Sequence, residues 1–160
     1  MPIFGQSATG PLRSLDIFIN HYHQLAAMAE DAKQLKGLAR KERWLDEWDL
    51  DGILFKQKKV ILVTDRNQHI IFASQNIFFL NGYTPAEVVG NTPKMFQGPK
   101  TSLVETAAIR VALKESRSFN VCVTNYKKNG QLYTCAIEGF PVHSQKKSRS
   151  HFIAFEQIAN

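Results

Sequence analysis

Apolar residues at steps of three and four mark the first third of the chain. Leu15, Phe18, Tyr22, Leu25, Met28, Ala32, Leu35 and Ala39 recur at the spacing that lays one stripe along a helix. Ser14 suits the N-cap of that helix and Asp16 its first turn, while Gly37 weakens it late. The steps run 3, 4, 3, 3, 4, 3, 4, a repeat resembling that of a coiled coil but interrupted. The stripe has two readings: the helix packs on its own domain, or it offers itself to a second copy or a partner protein. At 1.5 Å per residue, about 28 residues make a helix of about 40 Å, long for a cover on one small domain. Residues 1–13, with two Gly and two Pro, read as a flexible lead-in.

The segment Trp44–Gly52 closes the helical region. Glu47, Asp49, Asp51 and Gly52 mimic the opening of a calcium loop, but Lys58 stands where the bidentate glutamate belongs. A helix end that packs two tryptophans on the neighbouring domain accounts for the pattern better. From Val60 the texture turns β-branched. Val60–Asp65 and Ile70–Ser74 read as a hairpin, Gln75–Tyr83 as a short helix, and Thr84-Pro85-Ala86-Glu87 as the capped start of another that Gly90 ends. Leu103–Glu115 is a longer helix. Phe119–Tyr126, then Asn129-Gly130, then Gln131–Val142 read as a tight hairpin. Residues 143–150 read as a polar basic turn and His151–Ile158 as the last strand. The order β β α α α β β β predicts an α+β domain over residues 60–160: a five-stranded antiparallel sheet with helices on one face, preceded by a helical docking segment at 14–59.

Composition narrows the classes. No apolar run reaches the roughly 18 residues a membrane span needs, and the N-terminus lacks a secretory pattern, so the expectation is a cytoplasmic protein. Two cysteines, Cys122 and Cys135, make no disulfide framework and no zinc spacing. The net charge is +6. Residues 57–160 carry thirteen Lys/Arg against six Asp/Glu, so this part alone has +7. Most of that charge sits at predicted turns, which disfavours a nucleic-acid partner. No nucleophile–base set, phosphate loop or metal motif is present, and an enzyme is not expected.

Several stretches together resemble the PAS family, and within it the light-oxygen-voltage (LOV) branch. Ile70-Ile71-Phe72-Ala73-Ser74 with Phe78, Leu80 and Gly82-Tyr83 is similar to the second strand and first helices of that branch. Gly90-Asn91-Thr92-Pro93-Lys94-Met95-Phe96-Gln97-Gly98-Pro99-Lys100-Thr101 resembles its signature, in which Gly-x-Asn-Cys-Arg-Phe-Leu-Gln-Gly is followed by Pro-x-Thr-Asp. Ile109-Arg110 and Asn125-Tyr126-Lys127-Lys128-Asn129-Gly130 follow at the family's spacing. The resemblance covers about 100 residues and implies a PAS fold whose pocket holds a flavin, FMN or FAD, in relatives.

Carried over position by position, Lys94 and Arg110 match the phosphate-binding arginines, Gln97 the signature glutamine, and Asn125 the first ring-binding asparagine. Three positions depart. Pro93 stands where the adduct-forming cysteine belongs, and it has no nucleophile. Cys135 replaces the second asparagine, and Glu156 replaces the last strand's glutamine. Haem is disfavoured, since Leu103–Glu115 carries no histidine. His21, His23, His69, His143 and His151 fall on the first helix or in turns, where solvation is expected. The first expectation is therefore a non-catalytic sensory module acting through dimerisation or a partner, by the N-terminal helix or the sheet's outer face at Thr134, Ala136 and Phe140. The alternative is a flavin sensor without an adduct. Whether the pocket is filled stays open.

Overall fold

A computed structural model describes residues 11–160, with side chains described outside residues 11–13 and 147–150. The lead-in at residues 1–10 lies outside the described residues. Helix α1 spans Pro11–Lys41 and so begins before Ser14, with proline at a first-turn position where a missing N–H costs nothing. At 31 residues it is about 46 Å long. After a short π-helical turn at Gly52–Lys56 come β1 (Val60–Thr64), β2 (Ile70–Ala73), α2 (Ile77–Asn81), α3 (Pro85–Val88), a 3₁₀ turn (Pro93–Phe96), α4 (Leu103–Glu115), β3 (Phe119–Tyr126), β4 (Leu132–Ser144) and β5 (Lys147–Ile158).

The five strands form one antiparallel sheet in the order β2-β1-β5-β4-β3. Local chemistry fixes several joints. Gly82 closes α2 at φ 82°, and its N–H donates to the Phe78 carbonyl at 2.9 Å. The Thr84 N–H donates to the Glu87 carboxylate at 2.8 Å, the reciprocal half of a capping box. Gly130, at φ 86°, turns the β3–β4 hairpin.

Both faces of the sheet are covered. On one face Ile61, Val63, Ile153 and Phe155 pack with Ala32 and Leu35 of α1 and with Leu50 and Leu54 beyond it. Trp44 and Trp48, edge to face at 6.0 Å, and Phe140 join that layer. On the other face Val60, Leu62, Ile70 and Cys135 pack with Ile77, Leu80, Val88 and Phe96. The helical segment therefore divides: Leu35 is 0% exposed and belongs to the core, whereas Leu15, Phe18 and Tyr22 are 52%, 67% and 64% exposed. Asp31, itself buried, accepts a hydrogen bond from the Gln75 N–H at 2.8 Å and ties α1 to the turn before α2.

Three expectations are corrected. The basic turn at 143–150 is largely strand: β4 and β5 pair out to Ser144 with Lys147, and Trp44 bridges Ser144. His151 lies in β5 and is buried, its ring 5.9 Å from that of Trp44. Phe140 is not free for association, because the tryptophan layer covers it. The added hydrogen-bonded rungs and the two indole rings outweigh the polarity of the segment.

Candidate functional site

The period of two along the strands aims alternate side chains of one face at a single cavity. Phe152, Ala154 and Glu156 of β5 lie beside Ile137 of β4 and Val123 and Asn125 of β3. The 3₁₀ turn and α4 close the space with Pro93, Lys94, Gln97, Thr106 and Arg110. The cavity measures about 240 Å³, below the roughly 300–1,000 Å³ common for small-molecule sites. Five of the six sequence-derived residues thus meet at one place: Lys94, Gln97, Arg110, Asn125 and Glu156. Cys135 does not line it. Its side chain is 0% exposed and packs among Phe96, Tyr133 and Leu80, behind Glu156. Strand parity put Cys135 on the correct face, but there it lies in the buried cluster with Phe96 rather than at the cavity wall.

The two ends of the cavity differ chemically. At the inner end Glu156 is 4% exposed, and its carboxylate meets the Cys135 thiol, which donates at 3.7 Å. Burial pushes the Glu156 carboxyl up to about 7, and the thiol hydrogen bond pulls it partly back. Burial, and then the Glu156 charge, push the Cys135 thiol up, so it stays protonated and unreactive. Asn125 is 4% exposed, and its Oδ1 has no hydrogen-bond partner among the described residues. Its neighbour Tyr133 reaches the buried Asn81 amide at 3.5 Å. At the mouth, Lys94 and Arg110 are exposed and make no ion pair among the described residues.

Sequence reasoning missed two groups. Phe152 and Ala154 share the face of Glu156, so the alternation of β5 carried their signal. Arg66 and Lys114 sit with Arg110 in a crevice of about 190 Å³ that shares Gln68, Leu113 and Phe152 with the cavity. They come from the β1–β2 turn and the end of α4, and no local pattern links them.

Residues 58–157 match the family model described as PAS domain. The chain belongs to the PAS family. It is 32% identical over 111 residues to phototropin-2 of Oryza sativa subsp. japonica, which covers 68% of this chain and 12% of the relative. It is 30% identical over 116 residues to the bacterioopsin transcriptional activator of Halobacterium salinarum, covering 72% of this chain and 16% of the relative. These curated relatives are thus far longer than the matched region. The dark structure of the blue-light photoreceptor aureochrome1 LOV superposes with a TM-score of 0.64 at 20% identity, covering 72% of this chain and 86% of that chain. The PAS domain lies on the LOV side of its family, and no described helix is long and apolar enough to cross a membrane.

The fit to the flavin of LOV relatives is good at one end only. Lys94 and Arg110 suit a phosphate, and Gln97 is an amide at the cavity wall. A flavin's polar ring edge, however, carries carbonyl and imine acceptors around a single N–H. Glu156 as carboxylate is an acceptor too, so there like meets like, whereas the Asn125 amide has both donors and an acceptor to offer. With Cys135 withdrawn into the core, the Glu156 end of the site does not fit an oxidised flavin.

Proposed function

We propose that this PAS domain is a non-catalytic sensory module that acts through an interface on the first half of α1. The observation that carries this is the exposed row Leu15, Phe18, Tyr22 and Leu25, at 52%, 67%, 64% and 41%. A stripe of mean spacing below 3.6 drifts around a straight helix. Its later members, Ala32 and Leu35, lie on the sheet, and its earlier members remain in solvent. A second helix of the same kind can follow that drift, so self-association through α1 is the partner the stripe fits. Each side chain is worth roughly 1.5–3 kcal/mol when fully covered. The test is light scattering of the chain and of Phe18→Asp with Tyr22→Asp. A dimer mass that falls to a monomer mass supports the reading. A dimer unaffected by the pair moves the interface off α1, and a monomer at the start assigns the stripe to a different protein.

The second reading, a flavin sensor working without an adduct, is supported by Lys94, Gln97, Arg110 and Asn125 lining one cavity. Glu156 and Cys135 oppose it. Denaturing the purified protein and measuring released flavin fluorescence decides it: near-stoichiometric release would make this the leading reading.

A further inference from the structure

The sensory reading leaves open what the cavity senses, and the inference here rests on that reading. Two observations converge. The inner end offers acceptors that the donors beside them, the Cys135 thiol and the Tyr133 hydroxyl next to Asn125, satisfy only in part. The Asn125 Oδ1 is buried and unpartnered, and buried Glu156 has only a thiol at 3.7 Å. No cation among the described residues reaches either group. The outer end is the converse. Arg66, Arg110 and Lys114 gather in the crevice that adjoins the cavity and shares Gln68, Leu113 and Phe152 with it, and none of the three makes an ion pair among the described residues. The one carboxylate there, Asp65, is engaged by its own turn. It accepts from the N–H groups of Asn67 at 2.8 Å and His69 at 2.9 Å.

We infer that the cavity and its crevice bind a nucleoside diphosphate whose base presents an edge of N–H donors, an amide beside an amine as in guanine. The base lies in the apolar space of about 240 Å³, which suits a two-ring heterocycle better than a three-ring one. Its donor edge meets Glu156 and Asn125. A carboxylate accepts two adjacent N–H bonds in parallel, a charge-assisted geometry. The diphosphate lies against Arg66, Arg110 and Lys114, where one phosphate would leave part of the charge unanswered. Adenine offers an acceptor beside its amine and answers Glu156 less well.

The test is calorimetric titration of the full chain with GDP, GMP, ADP, FMN and inorganic diphosphate as probes. GDP is expected to bind tightest. Glu156→Gln should weaken GDP by about ten- to a hundredfold, the scale of a charged hydrogen bond lost in a buried site. Arg66→Ala with Lys114→Ala should remove the advantage of GDP over GMP, and both of these substitutions lie at the surface, away from the core. The inference is overturned if FMN binds tighter than GDP, if diphosphate binds as well as GDP, if Glu156→Gln leaves GDP unchanged, or if no probe binds. Tight FMN binding alone would leave a sensor with a different ligand, and the light-scattering result on α1 is independent of every arm.

Discussion

Replacing Glu156 by glutamine should stabilise the ligand-free protein at pH 8 and far less at pH 5. Glu156 is 4% exposed, and among the described residues its carboxylate is hydrogen-bonded by the Cys135 thiol alone, at 3.7 Å. Burial raises its carboxyl from 4.5 to about 7 in the folded protein. A folded-state value above the unfolded one means that the native state holds its proton longer. The contribution to stability is therefore fully present below pH 4.5 and is lost as pH rises through about 7. At about 1.4 kcal/mol per pH unit, the loss amounts to about 3 kcal/mol. Glutamine keeps the shape and carries no charge to bury, so it escapes this loss.

The assay is urea unfolding of both proteins at pH 5 and pH 8, with stability read from the midpoint and slope. Asp31, which burial raises to about 6, gives the same sign of pH dependence. It is present in both proteins, so its own contribution cancels in the difference. A gain of about 2–3 kcal/mol for Glu156→Gln at pH 8 is expected, shrinking to under about 1 kcal/mol at pH 5. Parallel pH profiles for the two proteins would refute the reasoning, since they would mean that the carboxyl reaches water or a cation.

Leu35→Ala should cost about 2–5 kcal/mol by urea unfolding, as for a fully buried leucine, because Leu35 is 0% exposed; Leu15→Ala should shift stability by under about 0.5 kcal/mol. Asp31→Ala should leave the Gln75 N–H without its acceptor at a cost of about 1–3 kcal/mol. It should also speed hydrogen exchange at Gln75, which a native-state exchange experiment reads directly. Blue light on the protein reconstituted with FMN should produce no near-UV adduct species, since Pro93 lines the cavity and carries no thiol; an adduct that decays thermally would place a cysteine where the structure has none.

What could be read from the chain tracks how locally each feature is decided. The Asn129-Gly130 turn and the Thr84–Glu87 cap depend on neighbours a few residues away, and both lie where the pattern put them. Glu156 was placed at the cavity by the family resemblance, and it lines the cavity. Cys135 faces the same side of the sheet yet lies in the core, in a cluster that includes Phe96 from a distant turn. The helical stripe was legible as a stripe. Its division into a buried and an exposed half depends on where the sheet ends, which no periodicity encodes. The strand at 143–150 was hidden by polar residues; they pair across the local β4–β5 hairpin, and Trp44, about 100 residues earlier, adds a bridge to Ser144 and a ring contact to His151. Arg66, Arg110 and Lys114 meet only because a turn and the end of α4 converge, so their cluster has no signature along the chain.

The position of Glu156 also bears on how a ligand would reach α1. The same side chain lines the cavity and the groove between α1 and α2, where Gln24, Ala27 and Met28 form the α1 wall. On β5 it pairs with Val60 of β1 on one side and Ile137 of β4 on the other. Asp31 makes the second junction, through Gln75. A ligand that binds the associated and the free protein equally transmits nothing, however tightly it binds. A ligand that fixes the Glu156 carboxylate changes a group that both spaces share, so it has the means to bind the two forms unequally. Linkage then requires reciprocity: the factor by which ligand tightens self-association must equal the factor by which association tightens the ligand. Measuring both factors, with and without Glu156→Gln, tests the coupling itself. Equal factors that vanish together in the variant would assign the coupling to Glu156, and equal factors that survive it would leave the Asp31–Gln75 contact as the remaining junction.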